Sequence, residues 1–172
     1  MKYGVLSCLC RENDEVLMLR KNKRVDDPNS DFYALPGGKL EPQEKSNKFG
    51  RIFAAIREHW EETGLTLISP KFIGTILFDN PERQFDDWKN HDNYYVYVYS
   101  AKEFSGTLLE KIEEGFPLWV PKEKIFTLEE MNAGDKEMYK WIFDGRFFSG
   151  VIYHKGKELD MENTFVDFFT HT

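Results

Sequence analysis

GGKLEPQEKSNKFGRIFAAIREHWEETGL, residues 37 to 65, is the stretch on which the reading of this chain turns. From about Ile52 to Thr63 the spacing predicts a helix. Ile52, Phe53, Ile56 and Trp60 share one stripe at the interval of a core-facing helix, and Gly64 is a natural C-cap. Glu58, Glu61 and Glu62 stand at i, i+3 and i+4, so three carboxylates share one face. They repel one another unless something positive joins them. Arg57 can pair with Glu61 four residues on, but one guanidinium cannot neutralise three acids. A hard divalent cation with oxygen ligands can. Taken alone, such a face is ordinarily just solvated. Gly37-Gly38 after Pro36 shifts the balance: read as a turn, it exposes backbone groups and lets a phosphate approach. A glycine loop feeding a helix with three facing acids makes an oxygen cage. Mg²⁺ held that way activates water and neutralises charge on a transferring phosphoryl group.

Composition argues against a nucleic-acid coat and does not exclude a small anionic substrate, since a local basic pocket or a metal can reverse the field. The chain has 172 residues, about one domain, so 1–172 is expected to form a single unit. Lys plus Arg number 23 against 30 Asp plus Glu, a formal charge of −7 that argues against a polymer-coating basic face. With 41% hydrophobic and 16% aromatic residues it can bury a core. No run of about 18 apolar residues suggests a membrane span, and the short apolar start at Met1 to Ser7 is no secretory signal. Cys8 and Cys10 lie two apart, on one face of any strand, and read as reduced packed thiols in a cytoplasmic protein.

Around the central stretch, residues 4–10 and 16–20 read as a hairpin turning at Arg11 to Glu15, and 21–36 as a loop. Residues 72–78 and 94–100 read as strands, with a polar, mobile loop at 81–93 carrying Asp86, Asp87, His91 and Asp92. Trp119-Val120 predicts a short strand ending at Pro121, and 127–144 a second helix ending near Gly145. Residues 147–153 and 158–168 predict a closing hairpin around Lys155-Gly156-Lys157. This order suggests one layered α+β domain.

The central stretch resembles the Nudix box, the signature of the MutT-like hydrolases: Gly, five residues, Glu, seven residues, then Arg-Glu-apolar-x-Glu-Glu-x-Gly-apolar. Gly38, five residues and Glu44 match the first half, and Arg57-Glu58-His59-Trp60-Glu61-Glu62-Thr63-Gly64-Leu65 the second. There are two departures. Twelve residues, not seven, separate Glu44 from Arg57, so Lys45 to Arg51 contains a five-residue insertion, which leaves the position of Glu44 open. His59 fills the apolar slot and reads as a partly buried helix histidine. The resemblance implies an α/β/α sandwich with a mixed sheet between helices. It implies that the Gly37 carbonyl, Glu58, Glu61 and Glu62 bind Mg²⁺ or Mn²⁺, and that Arg57 orients the glutamates. It implies further that Lys39 and Lys21, in the basic run Arg20 to Arg24, meet substrate phosphates. A further acid from outside the box fits Glu114 better than Glu113. Either it or a box glutamate is the base for the attacking water.

The family cleaves a nucleoside diphosphate linked to another group. Phe147 to Val151, Tyr153, Gly156 and Leu159, with Asn132-Ala133-Gly134-Asp135, resemble the 8-oxo-dGTP branch. Two positions depart from it: Asn132 stands where a Trp is common, and Tyr33 where an Asn reads the purine. Tyr33 or Phe32 can stack a base, and Asp135 can accept hydrogen bonds from a base edge. The expected activity is cleavage of a nucleoside triphosphate, ordinary or modified, to monophosphate and pyrophosphate. The alternatives are a nucleotide-sugar, ADP-ribose or dinucleoside polyphosphate hydrolase, or a non-catalytic nucleotide-binding module. The expected partner is a small nucleotide, with neither nucleic-acid polymer nor membrane.

Overall fold

The computed structural model describes residues 1–23, 31–81, 93–156 and 158–170. The 81–93 loop expected from sequence falls almost wholly outside these, with Asp86, Asp87, His91 and Asp92; so do Arg24 and Lys157. The strands are β1 (Lys2–Arg11), β2 (Glu15–Lys21), β3 (Tyr33–Ala34), β4 (Gly37–Lys39), β5 (Leu65–Ile68), β6 (Lys71–Asp79), β7 (Tyr94–Ala101), β8 (Glu103–Gly106), β9 (Gly115–Pro121), β10 (Phe147–Lys155), β11 (Glu158–Leu159) and β12 (Phe165–Phe169). The helices are α1 (Pro42–Lys45), α2 (Gly50–Thr63) and α3 (Ala133–Asp144), with a 3-10 helix at Lys122–Thr127.

The sheet runs β11-β10-β6-β7-β1-β2-β3, with β12 on β10, β4 on β1 and β9 on β2. It is mixed: β1 lies parallel to β7 and β10 parallel to β6, and the remaining pairs are antiparallel. The expected hairpin forms, with Cys10 opposite Val16 and Arg11 opposite Glu15. On one face α3 supplies Met138, Tyr139, Trp141 and Ile142 to a core with Cys8, Met18, Ile76, Val98 and Phe148. On the other face Ala54 and Ala55 of α2 pack with Val5, Leu40 and Tyr99. The sheet therefore sits between helices, as the α/β/α sandwich requires. Both cysteines are free, and burial pushes the Cys8 thiol up to about 12. No described helix is long and apolar enough to cross a membrane.

Several expectations are corrected. Gly37 and Gly38 do not turn; they pair with Leu6 and Val5 in β4, and neither has a positive φ. The stripe of Ile52, Phe53, Ile56 and Trp60 is only half a core face: Ile52 and Ile56 are partly buried against the core. Phe53 and Trp60 are more than half exposed, whereas Ala54, Ala55, His59 and Thr63 are buried. Small side chains let the helix axis approach the sheet, so Ala wins the inner face over larger apolar residues. The expected helix 127–144 divides into the 3-10 turn and α3, with Asn132 at the N-cap. The 21–36 loop contains β3, and Trp119-Val120 is the end of a seven-residue strand that pairs along β2. The short α1 and the ribbon β5–β8 had no sequence expectation.

Candidate functional site

The helix α2 and the strand β4 build the site. Glu62, buried at the end of α2, accepts a hydrogen bond from the Gly37 N–H at 2.8 Å. Burial pushes its carboxyl up; Glu114 and Glu58 push it further, while the Gly37 N–H and Lys21 oppose them. The tertiary fold thus gathers Glu58, Glu62, Glu114 and Lys21, from α2, the approach to β9 and the end of β2. Glu58 lies against Gly38: a Cβ there would sit 2.3 Å from Glu58 Oε2. Burial raises the Glu58 carboxyl too, with Glu61 and Glu44 adding to the push against Arg57. Glu61 is the exposed member of the three and accepts from Arg57 Nη1 at 3.1 Å.

Arg57 is the hub. It donates to Glu44 through Nε and Nη2, both at 2.9 Å, to Glu58 at 2.8 Å and to the Lys39 carbonyl at 3.3 Å. Glu44 first, and then Glu58, hold its guanidinium above the ordinary arginine range against the pull of burial. Burial works to raise the Glu44 carboxyl, but Arg57 and the Glu41 N–H outweigh it and the net shift is downward. The long spacing between Glu44 and Arg57 is taken up by the end of α1 and the link into α2, which folds Glu44 back onto Arg57. The insertion is spliced out sideways, and the pair is made.

Behind the acids, His59 is fully buried and its Nδ1 lies 2.7 Å from Ser7 Oγ. Ser7 Oγ also lies 3.1 Å from the Pro36 carbonyl, to which it can donate. The chain His59–Ser7–Pro36 ties α2 to the residue that precedes Gly37. Burial pushes the His59 imidazole down to about 4, so it is neutral near pH 7.

The other end of the site lies at the start of α3. Burial pushes the Asp135 carboxyl up to about 6, opposed by Lys21 and by a hydrogen bond with Asn132. Lys21 therefore acts on both Glu62 and Asp135 and links the acidic centre to α3. Tyr139, one turn beyond Asp135, keeps a buried hydroxyl with no partner among the described residues. Tyr33 carries the Arg20 guanidinium 4.7 Å over its ring, and Arg20 also pairs with Asp31. Lys39 is exposed, and the contact it makes here is through its carbonyl. Sequence reading missed Ser7 and Tyr139. A hydroxyl inside the apolar run Val5 to Leu9 and a tyrosine at i+4 from Asp135 were the available signals.

Among the described residues no three His, Cys, Asp or Glu side chains are disposed to hold an ion together. Glu58 and Glu61 are turned to Arg57, and Glu62 to Gly37. The donor set nevertheless suits a hard cation: carboxylate oxygens, crowded against one another, for which one guanidinium is insufficient.

Comparison with known proteins identifies the family and the fold. Residues 2–142 match the NUDIX domain, and the chain belongs to that family. Nudix hydrolases act on pyrophosphate bonds and generally use divalent metal ions. An uncharacterised Nudix hydrolase of Bacillus subtilis, YvcI, is 26% identical over 144 residues, spanning 83% of this chain and 80% of that one. A MutT protein from Bacillus halodurans superposes with a TM-score of 0.77 at 26% identity, covering 97% and 98% of the two chains. The NUDIX domain of Shewanella oneidensis NrtR, solved with ADP ribose, shares the fold at a TM-score of 0.64 and 13% identity, over 84% and 88% of the chains.

Proposed function

We propose that residues 1–172 form one pyrophosphohydrolase unit that cleaves a nucleoside triphosphate, ordinary or modified, to a monophosphate and pyrophosphate. The observation that carries this reading is the meeting of α2 with β4, where Glu62 accepts from the Gly37 N–H and Glu58 lies against Gly38, with Glu114 and Lys21 acting electrostatically on Glu62. In this proposal the Gly37 carbonyl, Glu58, Glu61, Glu62 and Glu114 hold Mg²⁺ or Mn²⁺. When bound, the cation neutralises phosphate charge and makes water more acidic.

The chain's own residues do the rest. Glu114 or a box glutamate takes a proton from the attacking water, which the cation would make more acidic. Water oxygen bonds to phosphorus, the bridging P–O bond breaks, and its electron pair leaves with pyrophosphate. Arg57 keeps Glu44, Glu58 and Glu61 in register. Lys21 and Lys39 meet the phosphates. Tyr33, Asn132 and Asp135 meet the base, Asp135 with a carboxyl that can donate as well as accept when protonated. A reduced, buried Cys8 suits the cytoplasm.

The test is a panel with Mg²⁺: ordinary and oxidised nucleoside triphosphates, ADP-ribose, nucleotide sugars and a dinucleoside polyphosphate, read by released pyrophosphate and phosphate. Pyrophosphate from one or a few triphosphates is expected, and Glu61→Gln should lower that turnover by about a hundredfold or more, from lost charge stabilisation. Near-normal turnover in that variant, or products only from the diphosphate-linked compounds, would overturn the reading.

A further inference from the structure

The box insertion builds something. Beside α2, on the side of its N-terminus, lies a cleft of about 500 Å³ whose floor and walls include Leu40, Tyr3 and Tyr97. Its rim carries Lys45, Lys48 and Arg51, all from the inserted stretch or its junction with the helix. In a chain of net charge −7 these three cations have no carboxylate partner among the described residues. Glu44 also lines the cleft, but its carboxylate is spent on Arg57. The aromatic wall is ordered: Arg51 lies 4.6 Å over the Tyr97 ring, Tyr95 and Tyr97 rings are 5.4 Å apart edge-on, and Tyr3 and Tyr95 6.1 Å apart.

We infer that this cleft is a nucleotide subsite outside the cleavage centre, its cations taking phosphate and its tyrosines taking a planar ring. Here Lys45, Lys48 and Arg51 line the same concavity as Tyr3 and Tyr97. Arginine stacked on an aromatic ring keeps its N–H edge free for a phosphate, and its orientation is fixed in advance. Arg51 and Glu58 are seven residues apart on α2, so they share a helix face about 10 Å apart along the axis. A nucleotide held at Arg51 is therefore either the remote half of a long substrate or a separate ligand, and the chemistry of recognition is the same.

The test uses the full chain in EDTA, titrated with AMP and with ribose 5-phosphate by calorimetry. Saturable AMP binding is expected, at least fivefold tighter than that of ribose 5-phosphate. Lys48→Gln with Arg51→Gln should weaken it tenfold or more. A control with the same charge change, Lys102→Gln with Lys124→Gln on exposed positions elsewhere, should stay within twofold. Absence of saturable binding, equal loss in the control, or equal affinity for the ringless phosphate would overturn the inference. This arm needs no turnover, so its failure leaves the hydrolase reading standing, and failure of hydrolysis leaves it standing in turn. A second arm rests on that reading and assigns the source. A raised KM of the double variant for a dinucleoside tetraphosphate but not for a nucleoside triphosphate marks the remote half of a substrate. An unchanged KM for both, with AMP binding lost, marks a separate ligand.

Discussion

Two adjacent glycines should fail in opposite ways when each is replaced by alanine. Neither Gly37 nor Gly38 has a positive φ, so the alanine backbone is unstrained and only the added Cβ matters. At Gly38 that carbon meets the Glu58 carboxylate, at 2.3 Å from Oε2, 2.4 Å from Cδ and 2.6 Å from Oε1. Ordinary contact needs about 3.5 Å, so the carboxylate must retreat by about 1 Å. It can do so, being the end of a flexible side chain, at about 1 kcal/mol of rotamer strain. A displacement of that size at a reacting group costs on the order of a hundredfold in rate. At Gly37 the Cβ would stand 2.2 Å from the Val5 carbonyl oxygen, part of the paired strand β1. Backbone cannot swing aside, so the sheet must shift, and overpacking of this kind costs about 1–3 kcal/mol or more. The assay is kcat/KM for pyrophosphate release beside urea denaturation of each variant. Gly38→Ala is expected to lose about a hundredfold in rate with stability within about 1 kcal/mol of the parent. Gly37→Ala is expected to lose stability clearly. Full activity in Gly38→Ala, or equal destabilisation of the two, would refute the close approach of Glu58 to β4 as the reason for the glycine.

Two pH-dependent outcomes follow from buried groups. The Asp135 carboxyl rises from 3.8 to about 6, so its burial costs stability above pH 6 and the cost vanishes as pH falls toward 4. Asp135→Asn should be more stable than the parent by about 2 kcal/mol at pH 8 and equal to it near pH 4; a constant difference across that range in urea titrations would contradict this. His59 falls from 6.5 to about 4, so the unfolded chain takes up its proton first and stability drops as pH falls through that window. His59→Leu should lack about 2–3 kcal/mol of the parent's loss between pH 7 and 4.5. Parallel stability curves for the two proteins would show that the imidazole is not buried neutral.

The parts of the site that were legible in the sequence are those within one helix. The interval of Glu58, Glu61 and Glu62, the reach of Arg57 to Glu61 and the cap at Gly64 follow from 3.6 residues per turn. Glu114 and Lys21 were singled out by resemblance, and in the structure both act on the Glu62 carboxyl, Glu114 raising it and Lys21 lowering it. Periodicity misjudged which face of α2 is inner. Both Phe53 and Ala54 are apolar, and only the distance to the sheet decides between them. Gly-Gly likewise has one sequence signal and two physical uses, a turn or a close approach, and here the neighbour is a carboxylate from another element.

The sequence by itself therefore determined the helix, its acidic face and the family, because those depend on residues a few positions apart. Tertiary structure alone decided the rest. It closed Glu44 onto Arg57 across the insertion, brought Lys21 to act on both Glu62 and Asp135, tied His59 through Ser7 to Pro36, and left the Tyr139 hydroxyl without a partner among the described residues. Each of these joins groups distant in the chain or depends on burial, and burial and long-range distance exist only once the sheet has formed between its helices.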